Sequence, residues 1–207
     1  MRRPVLAALG VLVFAACLAG LTLGLLAVRR ALPPAARSAA PLTAAQTTAL
    51  RAAITLLRKR GLAGDASLAA ALLQQGKWHA AGPDDPSLAQ AEHAGGTPYA
   101  YTLADGKKIV AVVLAPRFFG EATPTARAAL MVHEMGHVRA YLKTGRSDEY
   151  DGYRREYDTH AQLGLTARDG LPYWAMLDGV TQYVLPRAPA YKSRPDVKAF
   201  LAQSGER

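Results

Sequence analysis

Two histidines and a glutamate stand in the apolar segment ALMVHEMGHVRAYL, residues 129–142: His133, Glu134 and His137. If the segment is helical, positions i and i+4 lie about 40° apart around the axis, so both imidazoles can address one ion. A zinc ion accepts two imidazole nitrogens at about 2.0–2.1 Å and leaves room for a third protein ligand and a water. Glu134 is rotated by about 100° from His133 on the same helix. From there its carboxylate can take a proton from that water and pass it to a leaving amine. The chemistry the three residues suit is metal-assisted hydrolysis of a carbonyl compound. Cys17 is the only cysteine, so a disulfide within the chain and a cysteine-based zinc set are both excluded.

The elements that must position this motif can be read on either side of it. Thr123-Pro124 predicts an N-cap and first turn, and Gly145 a stop, for a helix reaching about Lys143. Upstream, YAYTL (99–103), Asp105-Gly106 and KKIVAVVLA (107–115) predict a hairpin. Downstream, Ser147 before Asp148 and Glu149 predicts an N-cap and a helix to about Leu165. Thr43 opens a helix that ends at Arg58-Lys59-Arg60-Gly61, and a shorter one capped by Asp65 closes near Gly76. Residues 77–98 read as irregular, a helical segment is expected around 173–184, and a short helix over 193–203. Helices around one hairpin, with no repeat, give an α+β domain.

HEMGH resembles the HExGH helix of the zincin metallopeptidases. In those enzymes an antiparallel strand before the helix borders the substrate groove, and KIVAVVLA (108–115) holds the matching place in this chain. The resemblance covers about residues 107–165. It implies a zincin-like minimal domain with an active-site helix, a β-hairpin with an edge strand and flanking helices. It further implies a zinc cofactor and a peptide lying along the strand edge. Gly136 is expected to let another backbone come close to the metal helix, at a cost of about 1 kcal/mol in helix propensity.

The third ligand must be an acid or a histidine. In the gluzincin branch, a glutamate on the following helix completes the site, and REYDTHA (155–161) resembles the E-x-x-A-D pattern of the membrane-associated prenyl-endopeptidase-like branch. Thr159 and His160 depart from that pattern. The resemblance therefore points first to Glu156. His160, four residues on, is the rival ligand or a partner that orients one, and Glu149, Asp151 and Asp158 are further candidates. Tyr150, Tyr153, Tyr157 or His160 can stabilise an oxyanion. His79 and His93 fall in irregular sequence and are not expected at a metal.

Residues 5–28 carry no charge, long enough to cross a bilayer core of about 20 residues. The expected organisation is an N-terminal transmembrane anchor or signal segment (1–30), a Pro/Ala linker (31–41) and a metallopeptidase domain (42–207) with its core at about 99–165. Signal cleavage near residues 31–40 and lipidation at Cys17, in FAAC (14–17), are the alternatives. Five of the 25 basic residues flank the apolar stretch, which carries part of the formal +9 and leaves +4 beyond residue 37. No dense basic run remains there, which argues against nucleic acid. The expectation is a single-pass membrane-tethered zinc peptidase with its domain outside the cytoplasm, acting on a peptide or protein. The alternative is a metal-binding module of the cell envelope without turnover.

Overall fold

The computed structural model describes residues 39–82, 84–93, 98–193 and 195–204, and the compact unit begins at Ala39. The apolar stretch 5–28 and Cys17 lie outside the described residues. Among these no helix is long and apolar enough to cross a membrane.

The chain runs β1 (Ala40–Pro41), α1 (Ala44–Lys59), α2 (Ala63–Gln74), β2 (Trp78–Ala80), α3 (Pro86–His93), β3 (Ala100–Asp105) and β4 (Lys108–Leu114). There follow α4 (Pro116–Gly120), α5 (Pro124–Thr144), α6 (Glu149–Leu163), α7 (Leu171–Gly179) and α8 (Pro195–Ser204), with a π-helical turn at Val180–Val184. It is an α+β fold in which helices surround a four-stranded sheet of order β1-β2-β4-β3.

The hairpin forms as expected, with Gly106 at φ +55° in its turn and a bulge between Leu103 and Ala104. The expected edge does not. Trp78–Ala80, within the stretch read as irregular, pairs in parallel with Val112–Leu114. β4 is therefore flanked on both sides, and the free edge beside the helices belongs to β3. A three-residue strand gives too little alternation to stand out in sequence. The run IVAVVL is apolar throughout because its strand is interior: Val112, Val113 and Leu114 have no exposed surface.

α5 lies at the centre, packed against β3, β4, α1, α2, α6 and α7. Its ends follow the sequence signals. The Thr123 hydroxyl accepts from the Ala126 amide at 3.1 Å, and Gly145 closes the helix at φ +76°. Its middle is buried on nearly all sides, with Met131, Val132, Met135 and Val138 joining Leu50, Ile54 and Leu57 of α1 in the core. A helix so enclosed has no solvent for its polar residues, and Glu134 and His137 must find partners inside.

Two cap assignments differ from expectation. Asp148, not Ser147, caps α6, accepting from Tyr150 N–H at 3.0 Å and sharing a capping box with Asp151. Asp65 sits in the first turn of α2, but its side chain turns inward to two arginines instead of capping.

Candidate metal centre

α5 and α6 are joined by a short loop and packed closely enough that glycine is needed on both. A Cβ on Gly136 would collide with the backbone carbonyl of Asp151 and come within 3.0 Å of Gly152 Cα. A Cβ on Gly152 would run into the imidazole of His133. The close backbone approach expected at Gly136 is present. Its counterpart Gly152 is what lets the His133 ring lie flat against α6.

In this slot the two imidazoles meet through their Nε2 atoms, 3.1 Å apart. Both Nδ1 atoms point away, each to a partner. His133 Nδ1–H donates to Glu156 Oε2 at 3.0 Å. His137 Nδ1–H donates to Ser147 Oγ at 2.9 Å, and that hydroxyl donates to Asp151 Oδ2 at 2.9 Å. Ser147 is thus used for orienting a histidine, which explains why it does not cap the helix. Glu149 brings Oε2 to 3.4 Å from His133 Nε2, on the same side as His137. Ligand atoms of His133, His137 and Glu149 all lie within 4.8 Å of one another.

These spacings fit one ion. Tetrahedral ligands at about 2.0–2.1 Å from zinc are about 3.3–3.4 Å apart. Two separations in the set, 3.1 and 3.4 Å, lie close to that value, and the three ligand atoms all lie within 4.8 Å of one another. Nδ1 protons tied to a carboxylate and to a hydroxyl–carboxylate relay fix both rings with Nε2 facing inward, the tautomer that binding through Nε2 requires.

Glu156, expected as third ligand, occupies the other face of His133. It is fully enclosed, with Oε2 on Nδ1 and with Oε1 buried and unpartnered. Burial raises its pKa, and the neighbouring His133 pulls it back only in part. His160 stays with its own turn: Nδ1 is 2.6 Å from Tyr157 O, and its ring stacks on Tyr157 at 4.8 Å. It is not in the set of converging ligand atoms, though its charge acts on Glu156. Asp158 accepts from the Tyr191 hydroxyl at 2.8 Å.

The electrostatics follow from this crowding. Burial works against a charge on His133, but Glu149 and Glu156 outweigh it and push its pKa up to about 10. Burial and the charge of His133 lower that of His137, against Glu134. His133 Nε2 thus faces both His137 Nε2 at 3.1 Å and Glu149 Oε2 at 3.4 Å. The same His133 charge holds Glu149 below the ordinary carboxylate range, despite burial.

Glu134 is 4% exposed and points to the hairpin, where Thr102 Oγ on β3 donates to its Oε2 at 2.6 Å. Among the described residues this is the hydrogen bond its carboxylate makes, through Oε2. Tyr153 packs edge-on against His133, ring centroids 4.5 Å apart, and stacks on Tyr183 of the π-helical turn at 5.7 Å. A Cβ on Gly179 would strike the Tyr153 ring, so the segment after α6 is shaped around that tyrosine. Burial, then Glu149 and Glu156, raises the Tyr153 pKa, and the phenol stays protonated.

His79 lies elsewhere, beside a cavity of about 790 Å³ that Arg51, Arg58 and Trp78 help to line. Its Nδ1 is buried without a hydrogen bond, and burial lowers its pKa.

Glu149, one of the further ligand candidates, is the acid that converges with the two histidines, while the contacts of Thr102, Ser147 and Gly152 around them were not expected. One signal was present. EYDGY (149–153) puts the small residue Gly152 three positions after Glu149. Its smallness is what His133 demands. No known protein family, curated protein or solved structure matches this chain.

Proposed function

We propose that this chain is a zinc-dependent peptidase in which His133, His137 and Glu149 hold the metal and Glu134 is the general base. The observation that supports the reading is the convergence of two Nε2 atoms and a carboxylate oxygen within 4.8 Å of one another, with both Nδ1 atoms already engaged. Glu156 and the Ser147–Asp151 pair orient the two imidazoles. This assignment moves Glu156 from ligand to orienting partner.

Bound zinc supplies Lewis acidity that polarises a carbonyl and makes water acidic enough to react near neutral pH. The protein's residues do the rest. Glu134 accepts the proton at Oε1 while Thr102 holds Oε2, and it returns the proton to the departing amine. Tyr153, protonated and with its ring packed edge-on against His133, is the tyrosine assigned to stabilise the oxyanion. β3 presents its free edge on the side of α5 that carries Glu134, a surface along which an extended peptide can pair. The uncharged stretch 5–28 supports a membrane tether with the domain exported, a part of the reading that rests on sequence alone.

The test is zinc stoichiometry and turnover of a peptide library by wild type and by Glu134→Gln. Wild type is expected to bind one zinc and cleave, and the variant to bind one zinc and lose at least 100-fold in kcat. Zinc binding without turnover in wild type favours a metal-binding module instead, and no zinc binding at all overturns the reading.

A further inference from the structure

Besides the apolar packing of α1 and α2 against α5, one buried charge ties α2 to the centre. Asp65 on α2 has no exposed surface, and its carboxylate is held by two arginines from two different helices. Arg155 of α6 grips it with both arms of its fork, Nη2 on Oδ2 at 2.5 Å and Nε on Oδ1 at 3.4 Å. Arg139 of α5 donates from Nη1 to Oδ1. Arg139 stands two residues beyond His137, and Arg155 immediately precedes Glu156.

A carboxylate with no access to water is costly unless fully paired, so Asp65 ties α5 and α6 to each other at one distance and one register. That register has almost no slack. Gly136 meets the Asp151–Gly152 backbone, and Gly152 meets His133, with no room for a single methyl group. Small displacements of α6 move Glu149 and Glu156 together, on opposite faces of His133. A metal site tolerates errors of only about 0.5 Å in its supports.

We infer that Asp65 is a positioning residue for the metal centre: through Arg139 and Arg155 it sets the α5–α6 register on which metal affinity depends. The inference rests on the proposed metal site, and it assigns α2 the task of bracing that site from outside.

The experiment measures zinc affinity by chelator competition on the full chain, with helicity followed in the same samples. Asp65→Asn is expected to stay helical and lose at least 30-fold in zinc affinity. Arg139→Gln/Arg155→Gln is expected to lose a similar amount. Adding Asp65→Asn to that pair should cost less than threefold more, since the three groups act as one unit. In the zinc-free protein, Asp65→Asn should also shift or broaden the Nδ1–H resonance that His133 donates to Glu156. A folded Asp65→Asn protein with wild-type zinc affinity and an unchanged resonance overturns the inference. If Asp65→Asn does not fold, Arg155→Lys, which keeps the charge and loses the fork, decides: a five- to tenfold loss supports the inference and none overturns it. Should wild type bind no zinc, the metal reading fails on its own, and the His133 resonance still reports whether Asp65 sets the register.

Discussion

Gly152 of α6 lies directly against the imidazole of His133, and a single added carbon would overlap Nε2, the atom proposed to bind metal. Gly152→Ala is therefore a test of the site rather than of helix propensity, which alanine would improve by about 1 kcal/mol. The methyl group must push His133 off Glu156, or α6 off α5. The expected result is at least a 100-fold loss of zinc affinity, together with an overpacking cost of about 1–3 kcal/mol seen as a lower Tm. Chelator competition and thermal unfolding, each with and without zinc, measure the two effects. A variant that is more stable and binds zinc normally would contradict the packing described.

Glu149 and Glu156 are separated by two turns of one helix, yet they address different atoms of the same ring. If Glu149 is a ligand and Glu156 orients His133, their removal must differ in degree. Glu149→Ala is expected to lower zinc affinity by 100-fold or more and to change the absorption spectrum of the cobalt-substituted protein. Glu156→Gln, which can still accept from Nδ1–H, should cost about tenfold and leave that spectrum close to wild type. The reverse order would return the ligand role to Glu156.

How far these roles were legible in sequence follows from what each depends on. His133, Glu134 and His137 share one helix, so their spacing alone suggested a site. The ends of α5 were equally local, set by Thr123, Pro124 and Gly145. The choice between Glu149 and Glu156 was not local. Both follow the motif at plausible separations, and what distinguishes them is the face of His133 that α6 presents to each. That depends on the Gly136–Gly152 approach, a tertiary contact. Thr102 escaped notice for the same reason, being 32 residues from Glu134 and joined to it only when β3 packs on α5. The parallel pairing of β2 is a three-residue contact across an intervening helix and strand, with too little sequence of its own to announce it.

The raised pKa of His133, about 10, gives metal binding and metal-free stability opposite pH dependences. Zinc needs the neutral imidazole, so at pH 7 it must displace the His133 proton, whereas His137 is already neutral. Zinc affinity should rise by about tenfold per pH unit between pH 7 and 9, levelling near 10, with one proton released per zinc. The His133 contribution to stability of the zinc-free protein runs the other way. A folded pKa above the ordinary 6.5 means that it is fully present below about pH 6.5 and is lost as pH rises through 10. Calorimetry in two buffers of different ionisation enthalpy counts the proton. Affinity independent of pH over this range would show that His133 is not charged in the zinc-free site.

Thr102 donates to Oε2 of Glu134, and if Glu134 is the general base, that hydroxyl sets which oxygen is offered to the reacting water. Thr102→Val keeps the shape of the side chain and removes the donor. Glu134 is almost completely buried, and without that donor Oε2 must find another partner or turn toward the metal ligands. The β3 backbone is untouched, so peptide pairing along its edge should survive. The expected outcome is a fall of about tenfold in kcat with KM and zinc affinity close to wild type, and recovery in Thr102→Ser, which restores the hydroxyl. A rise in KM at constant kcat would instead make Thr102 part of the substrate surface. A loss of zinc would mean that the hydroxyl keeps Glu134 away from the metal.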